Sequence, residues 1–393
     1  MSHPSDAVEQ GQVTWVADRP PDAEVADGSG GWRARWPEWI GYVAAAFSLV
    51  YGALGLFWAL GGSGFPFGTG DPELMAEPDF AFKVSLLAKT TPEVAGPVIA
   101  VLGLAGAVAG TLMARRWGAR GPAQSAQSAQ WLLPTFGGVL AFGLTVVIQD
   151  FRPLIVVAYA PVLAIGKLFG GFAEADWSDL FLVPRLNLLV LLLAGVAWAL
   201  TAVAYRRAVT GACVSCGRRD HLDSHLLQRL GRPATWVAFS VPLVYCLTRW
   251  AWALGFSLGI DPAFYQEGKE DGLWLAGAGL ATFGLFGAIL TLGLIQRWGE
   301  VFPRWMIGLA GKRVPPMLAV VPASLVAVLV TAAGFMYIRI VISRGVTAAS
   351  WPMELPETLW VVWGAALFTA AMAYHQRRRT ACDRCLEGSA EIS

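Results

Sequence analysis

Two stretches of this chain, 169 residues apart, end in the same way. Residues 195–216 read GVAWALTAVAYRRAVTGACVSC, and residues 364–385 read GAALFTAAMAYHQRRRTACDRC. Without a gap, Gly195, Ala197, Ala202, Ala204, Tyr205, Ala212, Cys213 and Cys216 fall on Gly364, Ala366, Ala371, Ala373, Tyr374, Ala381, Cys382 and Cys385. Self-similarity at a fixed spacing constrains architecture ahead of any local reading, because each copy must build the same unit. Each copy here is an apolar helix, then a basic stretch, then CxxC. The expectation is two membrane modules that deliver a cysteine pair each to the same side.

Hydrophobic residues make up 55% of the chain and charged residues 15%, where a soluble domain carries about 25% charged residues. The chain reads as an all-α, polytopic integral membrane protein. Its net charge of +1 provides no basic field for a nucleic-acid partner. Residues 1–36 are polar and acidic and lack the apolar core of a signal peptide, so they read as a disordered cytoplasmic tail. Eight stretches approach the roughly 20 apolar residues that cross a bilayer: 39–60, 94–114, 131–149, 185–206, 234–256, 273–295, 315–338 and 357–375. Tryptophans fall near their ends, with Trp36, Trp39, Trp117, Trp131, Trp236 and Trp298 on one side and Trp58, Trp252, Trp274 and Trp351 on the other. They read as interfacial belts.

Lysine and arginine set the orientation. The connections after the second, fourth and sixth spans and the C-terminal tail carry Arg115, Arg116, Arg206, Arg207, Arg218, Arg219, Arg297, Lys312, Arg313 and Arg377 to Arg379 among others. The opposite connections carry fewer bases and most of the acids, such as Asp71, Glu73, Glu267 and Glu270. The positive-inside rule then places both termini and both CxxC motifs in the cytoplasm of a cell membrane. Pro153–Phe169 is apolar enough to resemble a ninth span, but that would put the Arg-rich stretch from Arg206 to Arg232 outside, against the positive-inside rule. It reads as an interfacial or re-entrant segment.

Weaker matches extend the repeat. Leu49-Val50-Tyr51 and Trp58-Ala59-Leu60-Gly61 fall on Leu243-Val244-Tyr245 and Trp252-Ala253-Leu254-Gly255 at an offset of 194. Gly103, Gly106 and Ala107 fall on Gly284, Gly287 and Ala288 at 181. Four helices per copy make the repeats parallel. The chain divides into a tail (1–36), a first four-helix module ending in CxxC (37–220), a cytoplasmic linker (221–233), a second module (234–388) and a short tail (389–393). Gly103, Gly106, Gly110, Gly284 and Gly287 suit close helix packing.

The W-A-L-G-G stretch at Trp58–Gly62, with the four-helix layout, resembles small uncharacterised bacterial membrane proteins of about one module in length. The histidine expected just before that tryptophan is absent, since Leu54 and Gly55 occupy the neighbourhood. The resemblance therefore implies a four-helix bacterial membrane fold and brings no activity with it.

Cys213, Cys216, Cys382 and Cys385 are the principal chemical candidates. Each CxxC places two sulfurs within reach of one ion, and two pairs suit a tetrahedral structural zinc. Nearby arginines offset thiolate charge, and a reducing cytosol disfavours a permanent disulfide. Redox-active pairs and inert remnants of duplication are the competing readings. Cys246 reads as a packing residue. His221 and His225, spaced i, i+4, read as solvated loop residues or alternative ligands, and His375 as a helix-terminal cation. Arg249 stands out as a charge within a span. It reads either as an arginine that snorkels to the outer headgroups or as part of an anion or headgroup pocket with Arg152, Arg339 and Asn187. No phosphate loop, H-E-x-x-H or G-x-S-x-G motif occurs.

Three functional readings follow. The first is a non-catalytic membrane component whose halves are joined by a cytosolic zinc site, with a membrane or cytosolic protein partner. The second is a transporter or lipid-handling protein using the cleft between the halves. The third is a membrane thiol oxidoreductase or redox sensor.

Overall fold

The computed structural model describes residues 35–76, 85–116, 124–169, 176–218, 224–379 and 382. Of the expected tail at 1–36, residues 1–34 lie outside the described residues and Trp36 already begins a helix; the tail at 389–393 and Trp117 also lie outside them. Among the described residues the protein is all-helical, with one isolated bridge between Val301 and Arg313. The first half contains α1 (Trp36–Ala59), α2 (Pro72–Ala76), α3 (Pro92–Ala114), α4 (Gln124–Phe142), α5 (Arg152–Leu168), α6 (Trp177–Leu180) and α7 (Val183–Thr210). The second contains α8 (Ser224–Ala253), α9 (Pro262–Glu270), α10 (Leu273–Leu292), α11 (Pro316–Arg344), α12 (Trp351–Thr358) and α13 (Trp360–Arg377).

Seven segments are long and apolar enough to cross a membrane: α1, α3, 130–147, α7, α10, α11 and 351–377. They match seven of the eight expected spans. The eighth, α8, has 30 residues, about 45 Å at 1.5 Å per residue, but Arg249, Thr248, Thr235 and two prolines lower its apolarity. It also begins at Ser224, so most of the expected linker 221–233 is helical. Exposed Leu, Val and Phe line the outward faces, as on Leu49, Val50, Val101, Leu104, Phe286 and Leu290. Lipid would cover such faces.

The helices alternate in direction. The close approaches of α1 and α3 run Gly41 to Ala114, Gly52 to Gly103 and Gly55 to Ala100, which is antiparallel. In α7, Trp198 donates to Ser48 of α1 and Tyr51 donates to Asn187, again antiparallel. Gly137 faces Ala202, and Gly195 faces Thr145, so α4 and α7 are antiparallel too. In the second half, α8 packs on α10 and α13, and α11 on α13. The first-with-second, third-with-fourth and first-with-fourth pairing is thus shared by both halves.

That pairing decides the position of Pro153–Phe169. The chain leaves α4 through a π-helical turn at Gly143–Val147. Gln149 then donates to the carbonyls of Leu144 and Leu188. The end of α4 and the start of α7 therefore sit together, and α5 leaves and returns at one end of the bundle.

Small residues are used differently in the two halves. In α3, a Cβ on Gly103 would lie 2.4 Å from Gly52 Cα and 2.6 Å from the Ser48 carbonyl oxygen. Backbones in contact gain dispersion and lose little side-chain entropy. The corresponding Gly284 and Gly287 of α10 have nothing within 4 Å, because α10 turns Ala281 and Ala288 inward instead. Gly103→Val is expected to destabilise by about 1–3 kcal/mol through overpacking. Gly287→Ala should be neutral or mildly stabilising, since alanine favours the helix by up to about 1 kcal/mol. Melting temperatures in detergent would compare them.

The belt reading is corrected on one side. Trp58, Trp252 and Trp274 are buried, and so is Trp198, which no belt included. Trp58 packs edge-on against Tyr51 and Phe65. Trp252 and Trp274 lie 5.2 Å apart and donate inward to the carbonyls of Leu258 and Tyr265. Beside both, the W-A-L-G pattern is a helix terminator. Gly61 (φ 89°) and Gly255 (φ 104°) take the left-handed conformation. Gly62 N–H then bonds Phe57 O, and Phe256 N–H bonds Ala251 O. Glycine suits that position because a Cβ would be strained there.

Candidate metal centre and buried charges

The basic end of α7 prepares the first cysteine pair. Gly211 (φ 72°) ends the helix in the left-handed conformation. Cys213 N–H bonds Arg218 O, and Gly217 N–H bonds Cys213 O, closing a small loop over Cys213–Arg218. The Arg218 amide lies 3.5 Å from Cys216 Sγ, so a backbone N–H points at a prospective thiolate. Arg207 lies beneath the loop and donates to Val214 O and Ser215 O. Its guanidinium would lie 2.6 Å from a Cβ on Gly217. The arginine therefore supplies charge to the sulfurs and a support for their loop.

The second pair arrives from α13. Tyr374 is buried, as is its counterpart Tyr205 on α7. Tyr374 donates to Gly299 O, Arg377 to Leu294 O and Arg378 to Val314 O, which ties the end of α13 to the α10–α11 connection. Cys382 then lies beside the first pair. Its Sγ is 3.9 Å from Cys213 Sγ, and the sulfurs of Cys213, Cys216 and Cys382 lie within 4.8 Å of one another. Two sulfurs each about 2.3 Å from a tetrahedral zinc sit about 3.8 Å apart, so the observed separation fits shared ligation. Cys385 and His221 lie outside the described residues, as does the side chain of His225. Cys246 is buried and donates to Ala281 O, a packing role.

This meeting bears on the direction of the chain. The pairs follow α7 and α13 and converge at one end of the bundle. Four expected spans lie between the two pairs, and an even number of crossings returns them to one side.

The candidate anion-pocket residues do not form one pocket. Arg152 is buried and saturated by acids. Its Nε and Nη2 donate to Asp150, its Nη1 to Asp71, and Glu73 lies 3.5 Å away. Glu73 in turn receives a fork from Arg185 at 2.6 and 3.0 Å. Arg339 of α11 is within electrostatic reach of Asp150. Three carboxylates and three guanidiniums thus share one region at the end opposite the cysteines. Burial pushes the Asp150 carboxyl up, and the Arg152 guanidinium opposes that rise. Asn187 sits elsewhere, accepting from Tyr51.

Arg249 lies in the second half and does not snorkel. Its side chain is 13% exposed and pairs with Glu357, which is 1% exposed. It also donates to Pro352 O and lies over the rings of Tyr245 and Trp252, at 4.5 and 4.4 Å. Taking an arginine to headgroups exchanges one solvation for another, whereas a buried carboxylate with two flanking rings satisfies it in place. The sequence reading passed over Glu357 because it lies at the start of a span, where an acid resembles an interfacial residue. The usable signal was its position one helical turn after Pro352-Met353-Glu354, on a stretch otherwise apolar enough to cross a membrane.

No family model matches the sequence, and neither a curated protein nor a solved structure matches it.

Proposed function

We propose that this protein is a non-catalytic, multi-pass membrane component whose two four-helix halves are fastened by a structural zinc on the cytoplasmic side. Cys213, Cys216, Cys382 and Cys385 are the ligands. The observation that carries this reading is the 3.9 Å approach of sulfurs 169 residues apart, one from each half. The inter-half contacts are otherwise few for a chain of this size, chiefly α11 against the π-turn after α4 and against α5. A closed four-sulfur site contributes folding energy directly and leaves no open coordination position for substrate. Arg207 and the neighbouring basic residues balance the thiolate charge. In this reading α8 is the eighth span, the halves are parallel repeats, and both termini are cytoplasmic. A membrane or cytosolic protein would be the partner.

Elemental analysis tests the metal. One zinc per chain with all four module-end thiols protected from alkylation is the expected result, and metal-free protein with reactive or disulfide-linked thiols would overturn it. Topology has its own test. Single cysteines placed in 61–93 and 259–272 should react with impermeant reagents added outside the cell, and those in 115–130 and 299–312 should not. External labelling near Arg218 would overturn the eight-span topology and make Pro153–Phe169 a span.

A further inference from the structure

The two buried charge groups differ in balance. Around Arg152, three acids meet three arginines, and the region needs no further ion. Around Arg249, the described acids are Glu357 and Glu354, and both are buried. They lie within electrostatic reach of each other. One guanidinium therefore faces two carboxylates. Oε2 of Glu357 and Oε2 of Glu354 are buried without a hydrogen-bond partner. An uncompensated negative charge in an apolar interior is costly, and such a group gains a counter-ion or a proton.

The remaining neighbours do not supply the missing positive charge. Tyr245 of α8 and Tyr337 of α11 face the pair, and both rings pack edge-on against Trp360 at 5.6 and 5.8 Å. Tyr159 of α5 lies within electrostatic reach of Tyr245. Trp360 Nε1 is itself buried and unpartnered. These neighbours are all neutral aromatics.

Nor does the helix packing require these charges. The offsets that align the halves put Gly55 opposite Arg249 and Leu188 opposite Glu357. There, Gly55 packs directly on Ile99 and Ala100, and Leu188 is buried. Tyr51, opposite Tyr245, settles for a neutral bond to Asn187. The same helix pairing is thus built without an ion pair. Ionisable groups retained inside a membrane segment under those conditions mark a site.

We propose that Glu357, with the Glu354 carboxylate beside it, holds one exchangeable proton, making this a proton-binding site within the second half. The proton comes from water and forms an O–H bond on the unpartnered Oε2 of Glu357. The group then changes from a net negative charge to neutral, with Arg249 paired to the remaining carboxylate. No other atom is exchanged. This site is independent of the cysteine centre.

Difference infrared spectroscopy on the full chain in phosphatidylcholine nanodiscs tests it. Wild-type protein in potassium buffer should show the carbonyl stretch of a protonated carboxyl that disappears reversibly as pH rises. Subtracting Glu357→Gln should isolate that stretch from those of other acids. Glu354→Gln should abolish it as well, because one guanidinium and one carboxylate are balanced without a proton. Exchanging potassium for sodium at constant pH should leave it unchanged. Monodispersity and zinc content report whether each variant is folded. A wild-type minus Glu357→Gln difference with no such stretch at any pH would overturn the proposal. So would its persistence in Glu354→Gln, or its removal by sodium, which would identify a metal cation instead.

Discussion

Serine in place of Cys213 is expected to reduce bound zinc from one per chain to a small fraction, and serine in place of Cys382 to reduce it by as much. Each substitution removes one of four ligands to a single ion, although the residues are 169 positions apart. Zinc that binds only the folded chain stabilises it by about 4 kcal/mol when its concentration is a thousandfold above Kd. Each single variant should lose most of that increment in a denaturant titration with zinc present. The double variant Cys213→Ser/Cys382→Ser should lose little more than either alone, because the second change removes a ligand from a site already broken. A chelator should bring wild-type protein to the level of the variants and leave the variants unmoved. Additive losses would mean that each pair acts within its own half.

The sequence was a good guide wherever the physics is local or periodic. Most span limits came within a few residues because about 20 apolar residues must cover the hydrocarbon core, but α8 begins at Ser224 rather than near 234. The convergence of Cys213 and Cys382 followed from a gapless repeat, since an even number of expected crossings between the two pairs returns them to one side. The packing of Gly103 and Gly110 was legible in their spacing, but its absence at Gly284 and Gly287 was not. Whether a small residue faces a neighbour or lipid depends on how a whole helix is rotated, and α10 rotates Ala281 and Ala288 inward. Trp58 and Trp252 were misplaced for a related reason. Tryptophan at a span end suits the interface and suits a capped helix turn equally well, and composition does not separate the two. Charge partners were the least legible. Arg249 and Glu357 are 108 residues apart, and Arg152 and Asp71 are 81 apart. No local pattern links them, and only the folded bundle brings them together.

Arg152→Met is expected to be among the most damaging single changes at the end of the first half opposite the cysteines. The arginine compensates two carboxylates, Asp71 and Asp150, whose side chains are both 0% exposed. Removing one partner of a buried ion pair costs about 3–5 kcal/mol, because the remaining charge is left without compensation. Arg152→Lys should recover part of that loss only, since a single ammonium cannot reproduce a fork that reaches both acids. The pH dependence has a definite sign. Burial already pushes the Asp150 carboxyl up, and Arg152 opposes it. Without the guanidinium, folded Asp150 stays protonated to higher pH, while the unfolded carboxyl titrates near its ordinary value of about 3.9. The folded chain then binds the extra proton between those two points. The variant's stability is greatest below the unfolded value and falls as pH rises through the interval. Its deficit against wild type should therefore shrink on acidification, as a proton takes the place of the arginine. Chemical denaturation followed by tryptophan fluorescence at several pH values would measure this. Hydrogen exchange would locate the damage, and faster exchange at Glu73 and Leu74 is expected. Their amides are held by Asp71 Oδ1, and Asp71 depends on Arg152. A deficit that is constant with pH would mean that the two acids find another partner when the arginine is gone.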